Sequence, residues 1–199
     1  MLFRSEVFWF VILATFFIAV IALVAGRAGN MEPPHEAAGR YGEQVITERI
    51  KTVLKDDDFL LTNVTVEYNG KPAELDNLIV NKYGVFIIEA KYYSGTLYGE
   101  EDDYWWEKIH FSAAGEPYRK TVRNPINQVK REVDVLARYL RSYGVSVWVE
   151  GYAMIYGADS PVDSDYMLYT AADIDRAIHT PKKQRLNAKT IESIKNLLS

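Results

Sequence analysis

The sequence predicts an α/β fold in which helices flank a mixed sheet in the order αβββαβ, preceded by one transmembrane helix. Three features predict it: an uncharged apolar run near the N-terminus, three β-type segments between Asn63 and Tyr92, and apolar residues at helical spacing on both sides of those segments.

The run is Val7–Ala25, VFWFVILATFFIAVIALVA, with Thr15 its only hydroxyl. At ~1.5 Å per residue it approaches the ~30 Å thickness of a hydrocarbon core. A soluble helix seldom stays apolar on every side for that length. The run also exceeds the ~7–15 residues of a signal-peptide core, and no clear small-residue cleavage site follows, so it reads as an uncleaved anchor rather than a leader. Arg4 stands on one side and Arg27 and Arg40 on the other, which leaves the positive-inside count close to a tie. Residues 1–6 are then a flank, 7–25 the anchor, 26–38 a tether containing Pro33–Pro34, 39–180 the folded domain and 181–199 a C-terminal helical extension.

Composition narrows the chemistry. The chain has 199 residues, and what remains beyond the tether is the size of one domain with a real core. A net charge of −4 excludes blanket affinity for nucleic acid, so a basic patch has to be local. With no cysteine there is no disulfide, thiolate metal site or cysteine nucleophile. His35, His110 and His179 show no zinc-ligand spacing, and neither a phosphate-cradling glycine loop nor a G-x-S-x-G motif is present.

Along the domain, Tyr41–Leu54 reads as a helix with Ile46, Ile50, Val53 and Leu54 as its apolar stripe. Glu43 shares that face, as a first-turn acid favoured by the helix dipole or as part of a site. Strands follow at Asn63–Tyr68, Glu74–Val80 and Val85–Tyr92, the last two joined by a tight turn in which Gly84 supplies a positive φ. Pairing Val80 with Val85 opposes Asp76 to Glu89 and Glu74 to Lys91, and places Asp76, Leu78 and Val80 beside Val85, Ile87, Glu89 and Lys91 on one face. Two facing carboxylates repel and need a counter-charge, either Lys91 or a divalent cation. Oxygen ligands of this kind suit Mg²⁺ or Mn²⁺. A Glu74–Lys91 salt bridge with Asp76 at a solvated strand end fits the same spacing.

Short strands are expected at Thr96–Tyr98 and Tyr104–Ile109. Asn124-Pro125 then opens a helix carrying Ile126, Val129, Val133, Leu136 and Leu140 on one face and Gln128 in its first turns. Arg119, Lys120, Arg123, Lys130, Arg131, Arg138 and Arg141 form either a solvated face or a phosphate-binding cluster. Strands at Val145–Val149, Tyr152–Tyr156 and near Tyr166–Tyr169, and helices near Ala172–Ile178 and Ala188–Leu198, complete the chain. Tyr104, Trp105 and Trp106 serve either core packing or a stacking surface.

Gly39-x-x-Gly42-Glu43 opening a helix, Glu74-Leu75-Asp76 on a strand, Gly84-Val-Phe-Ile-Ile-Glu89-Ala-Lys91 with Ser94-Gly95, and Asn124-Pro125-x-x-Gln128 together resemble the NERD (nuclease-related domain) family, from about Gly39 to Tyr156. That family is similar to the PD-(D/E)xK nucleases, although here Leu75 precedes Asp76 where the superfamily name has proline. The resemblance implies a restriction-endonuclease-like three-layer sandwich and an endonuclease-type hydrolase of DNA phosphodiesters, dependent on Mg²⁺ or Mn²⁺. It implies Asp76 and Glu89 as metal ligands and Lys91 as the group that polarises water or offsets phosphorane-like charge. Glu43 would assist from the first helix and Gln128 orient a ligand or phosphate from the second. A nuclease role would put the domain on the cytoplasmic side of the membrane. The alternative is a non-catalytic, membrane-tethered module that holds nucleic acid or a protein partner on the same fold.

Overall fold

The computed structural model describes residues 34–112, 114–181 and 185–198. The Val7–Ala25 run lies outside them, and among the described residues no helix is long and apolar enough to cross a membrane. The chain divides into two compact units, Met1–Ala37 and Ala38–Ser199, and the packing described below is that of the second.

Helix α1 spans Pro34–Lys51, beginning inside the expected tether; a proline is tolerated in a first turn because its missing N–H would have no helical partner there. Strands β1 (Phe59–Tyr68), β2 (Lys71–Asn81) and β3 (Gly84–Tyr98) form an antiparallel meander. The β1–β2 turn is Asn69-Gly70, both at positive φ (+50° and +72°), the geometry a two-residue hairpin turn demands. At the β2–β3 turn Gly84 has φ +157° and Asn81 Oδ1 accepts from the Tyr83 N–H.

β3 is continuous to Tyr98, and its far end pairs with β4 (Trp105–Phe111), which pairs in turn with β5 (Pro117–Arg123). Helix α2 (Pro125–Ser142) then returns the chain to β6 (Val149–Asp159), parallel to β3 on its other edge, and β7 (Met167–Leu168) extends the sheet beyond β6. Helices α3 (Ala171–His179) and α4 (Ala188–Leu198) follow. The sheet is therefore mixed and mostly antiparallel. The αβββαβ order is met by α1, β1–β3, α2 and β6, with the β4–β5 hairpin inserted before α2.

The sheet lies between two helical layers. On one face Ile46 and Ile50 of α1 and Ile174 and Ile178 of α3 pack on Ile79, Phe86 and Ile88. On the other, Leu136 and Leu140 of α2 and Ile194 and Leu198 of α4 pack on Leu78, Val80, Val85 and Ile87. Each such side chain contributes ~1.5–3 kcal/mol of burial before its entropy cost is subtracted. β3, covered on both faces, is accordingly apolar at successive positions from Val85 to Ile88.

Three local devices fix the ends of elements. Asn124 caps α2, its Oδ1 accepting from the Ile126 N–H at 2.8 Å, while its Nδ2 reaches the carbonyls of Glu101 and Asp103 at 2.9 and 2.8 Å. Gly95, at φ +86°, sits where the β3–β6 register shifts, and a Cβ there would lie 2.2 Å from the Ile109 carbonyl oxygen. His179 closes α3 onto the loop before β1 through Asp175 (Nδ1, 2.6 Å) and Asp58 (Nε2, 2.8 Å). One strand expectation needs correction. Val145–Trp148 is not a strand, since the Val145 N–H returns to the Leu140 carbonyl to close α2, leaving β6 to begin at Val149.

Candidate active site at the parting of two strands

The expected β2–β3 register holds from Asn81/Gly84 to Asn77/Ile88 and stops one pair short of Asp76 and Glu89. The cause is a kink shared with β1. The β1–β2 ladder skips Asn63 and Asp76, which face each other, and Asn63 takes a left-handed φ of +54°, a conformation asparagine tolerates better than most residues. Leu78 and Val80 share one core with Ala73 and Leu75, and Phe59 and Leu61 share it with Val64 and Val66. Side-chain alternation thus changes parity across both kinked residues.

Asp76 is therefore not the next member of the Leu78–Val80 face, as simple alternation predicts. It borders a cleft of about 300 Å³ on the α1 side with Arg40, Glu43, Thr47 and Asn63. Its Oδ2 accepts the Ala90 N–H at 2.8 Å, which holds the carboxylate against the edge of β3 that β2 leaves unpaired. Asn77 is anchored beside it, donating Nδ2 to the Ile88 carbonyl at 3.2 Å and receiving Thr47 Oγ1 at 2.7 Å.

Glu43 reaches this place because α1 lies very close to β3. A Cβ on Gly42 would stand 2.5 Å from Tyr92 Cβ, so glycine is required there for a close approach. Gly39 has open space around it, and nothing in the structure explains its place in the motif.

On the α2 side of β3, Glu89 is 1% exposed. Its Oε1 receives both Lys91 Nζ and Gln128 Nε2 at 2.5 Å, whereas its Oε2 has no hydrogen-bond partner. Gln128 also donates to Glu132 Oε1 at 2.9 Å, and Glu132 is fully buried with its own Oε2 unpartnered. Lys91 takes Glu89 as its ion-pair partner, not Glu74.

The electrostatics follow from burial and crowding. Burial first, and then the Asp76 charge, push the Glu89 carboxyl up to about 8. Burial likewise pushes Glu132 up to about 7, against the Gln128 hydrogen bond. Asp76 is raised chiefly by burial and opposed by the Ala90 N–H; Glu43 is raised by burial and then by Asp76. Burial pushes Lys91 down, but Glu89 and Asp76 outweigh it, so the net shift is upward and the side chain stays an ammonium.

The structure thus brings Glu43, Asp76, Glu89, Lys91 and Gln128 to one place. Glu132 joins them and was missed by the sequence reading. Its signal was available: a carboxylate three residues after Val129 and four before Leu136 interrupts an apolar stripe. The basic cluster divides. Lys130 and Arg138 are engaged by Glu101 at 3.0 Å and Asp134 at 2.7 Å, and Arg119 by Glu107. Among the aromatics Trp106 is core, while Tyr104 and Trp105 are exposed.

An oxygen-only donor set in which the buried Glu89 Oε2, like Glu132 Oε2 beside it, lacks any donor, and in which neighbouring acids are raised together, fits a hard divalent cation. Among the described residues no group of three or more His, Asp or Glu side chains could hold a metal by itself. Asp76 and Glu89 are the pair that could contribute ligands.

The nuclease-related domain (NERD) family matches residues 38–156. An uncharacterized protein of Bacillus anthracis is 27% identical over 100 residues, which cover 49% of this chain and 44% of that protein, so the match spans less than half of that relative. No solved structure matches the chain significantly. The family match covers both halves of the site, from Glu43 through Gln128 and Glu132 to β6, and the chain belongs to the nuclease-related domain family.

Proposed function

We propose that this domain hydrolyses phosphodiester bonds in DNA with the help of Mg²⁺ or Mn²⁺. The observation that carries the reading is the junction of Asp76, Glu89, Lys91 and Gln128 at the parting of β2 from β3, with Glu89 Oε2 left without a donor. Asp76 and Glu89 would hold the cation, with phosphate and water as its remaining ligands. The chemistry such a cation would supply there is Lewis acidity toward the phosphodiester and activation of water.

The chain's own residues have distinct tasks. Lys91 keeps its proton and so is no general base; its ammonium offsets negative charge that builds on phosphoryl oxygens. Gln128 fixes the Glu89 carboxylate and spaces it from Glu132. Glu43, on the far side of Asp76, has its carboxyl raised by burial and by the Asp76 charge, which makes it a stronger base than an ordinary glutamate. Metal-dependent nicking of a plasmid by the full chain tests the proposal. Full activity in Asp76→Ala or Lys91→Ala protein overturns it.

A second reading is a binding module without turnover, favoured by the net charge of −4 and by there being, among the described residues, no group of three or more acids or histidines that could hold a metal. Salt-sensitive DNA binding with no metal-dependent cleavage selects it. Either function includes the anchor: Val7–Ala25 tethers the domain to a membrane, with the domain on the cytoplasmic side where DNA lies. Release of the chain from membranes by alkaline carbonate contradicts the anchor, and protease sensitivity in intact cells contradicts the orientation.

A further inference from the structure

A second cleft, of about 590 Å³, is lined by Tyr104, Arg123, Asn124, Asn127, Gln128 and Arg131. It borders the acidic site through Gln128, which lines the cleft and donates to Glu89. We propose that this cleft, with the Tyr104–Trp105 step at its rim, binds an unpaired polynucleotide strand and feeds it to the acidic site. The inference rests on the nuclease reading for its destination and adds the state of the substrate.

Four observations support it. Tyr104 and Trp105 are 63% and 50% exposed, although Trp106, next in sequence, is fully buried; the strand sends one ring to the core and leaves two in water. The exposed rings are held, not loose: they meet edge to face at 5.2 Å, and the Arg123 guanidinium lies 5.7 Å from the Trp105 ring centroid. The cleft is also fixed from below, by Asn124 and Asn127 donating to the Asp103 carbonyl at 2.8 Å each. Finally, Arg123 and Arg131 put two cations on the cleft wall of a chain whose net charge is −4.

These features match one ligand chemistry. A polynucleotide backbone supplies the anion for Arg123 and Arg131, and an unpaired base supplies a π-face for Tyr104 or Trp105. Inside a duplex that face is already covered by its stacked neighbours. The acidic turn Glu100–Asp103 borders the aromatic step and would repel a backbone, which directs the strand over the arginine side; Lys130 neutralises Glu101 there at 3.0 Å.

The test is fluorescence anisotropy of the full chain, in chelator to prevent turnover, with a labelled oligo-dT of about 12 nucleotides, its oligo-U counterpart and a duplex of equal length. The single strands are expected to bind at least about tenfold tighter than the duplex. Trp105→Ala and Arg123→Ala should each weaken single-strand binding by about tenfold, and Trp105→Phe should retain it. Either order of affinity between dT and U supports the proposal. Equal or tighter duplex binding, no binding at all, or indifference to both alanine variants overturns it. Mn²⁺ calorimetry on the same wild-type preparation separates the two readings. Metal bound without strand preference defeats only the cleft, and strand binding without metal defeats the hydrolase while leaving the cleft.

Discussion

The Asp76 carboxylate accepts the Ala90 backbone N–H at 2.8 Å, a bond that the Leu75 carbonyl would take if the β2–β3 register ran on past Asn77/Ile88. The side chain stands in for a strand that has turned away. One residue thereby satisfies a backbone donor and fixes an acid beside the edge of β3, between Glu43 on one face of the sheet and Glu89 on the other. Site geometry and sheet geometry are the same fact here.

Gly42→Ala should destabilise the domain by about 1–3 kcal/mol, because the new methyl meets Tyr92 Cβ at 2.5 Å and backbone must shift. Gly39→Ala meets nothing within 4 Å and should be neutral or stabilising by about 0.5–1 kcal/mol in a helix. Urea denaturation of the two variants side by side checks the contrast. Equal effects would remove the close-approach argument.

Stability should fall as pH rises. Glu132 is raised in the folded chain from an ordinary 4.5 to about 7, and Glu89 to about 8, so the folded state holds protons that the unfolded state has released. Their favourable contribution is complete below about pH 4.5 and is lost as pH climbs through those values. The Tm of metal-free protein should therefore drop between about pH 5 and about pH 8. Glu132→Gln, which cannot ionise and can still accept from Gln128, should flatten that slope. A Tm that rises over this range contradicts the burial of these acids.

Gln128→Leu removes the donor shared at 2.5 and 2.9 Å by Glu89 and Glu132. The loss should reach about 1–3 kcal/mol at alkaline pH, where a buried ionised carboxylate is left without its partner. It should shrink toward about pH 5, where both acids are protonated. Denaturant titrations at the two pH values distinguish this from a pH-independent packing defect.

Much of this was legible in the sequence, and the failures have physical causes. The β2–β3 register could be read because Val80 and Val85 flank the four-residue turn Asn81–Gly84 and apolar residues run unbroken from Val85 through Ile88. It broke at Asp76 because the kink is a matter of two opposed residues on different strands, and only Asn63, a residue tolerant of left-handed backbone, hints at it. β5 was not foreseen because PYRKTVR is polar on both faces, with Val122 alone partly covered, so it carries no alternation to detect. Trp105 and Trp106 could not be assigned without knowing which face of β4 meets α2. Glu132 was readable in principle as a charge inside the α2 stripe, but a glutamate at a helix-face edge has the same spacing, and only the structure shows it fully buried.

The proposed hydrolysis requires that Asp76 and Glu89 form a cation site. Calorimetric titration of the full chain with Mn²⁺, wild type against Asp76→Asn, tests it most directly, since asparagine can keep the Ala90 hydrogen bond while removing the charge. Binding in wild type that strengthens as pH rises through about 8, as Glu89 gives up its proton, and that disappears in the variant is the predicted result. Wild type that binds no cation at any pH, or a variant that binds as well as wild type, would contradict the account.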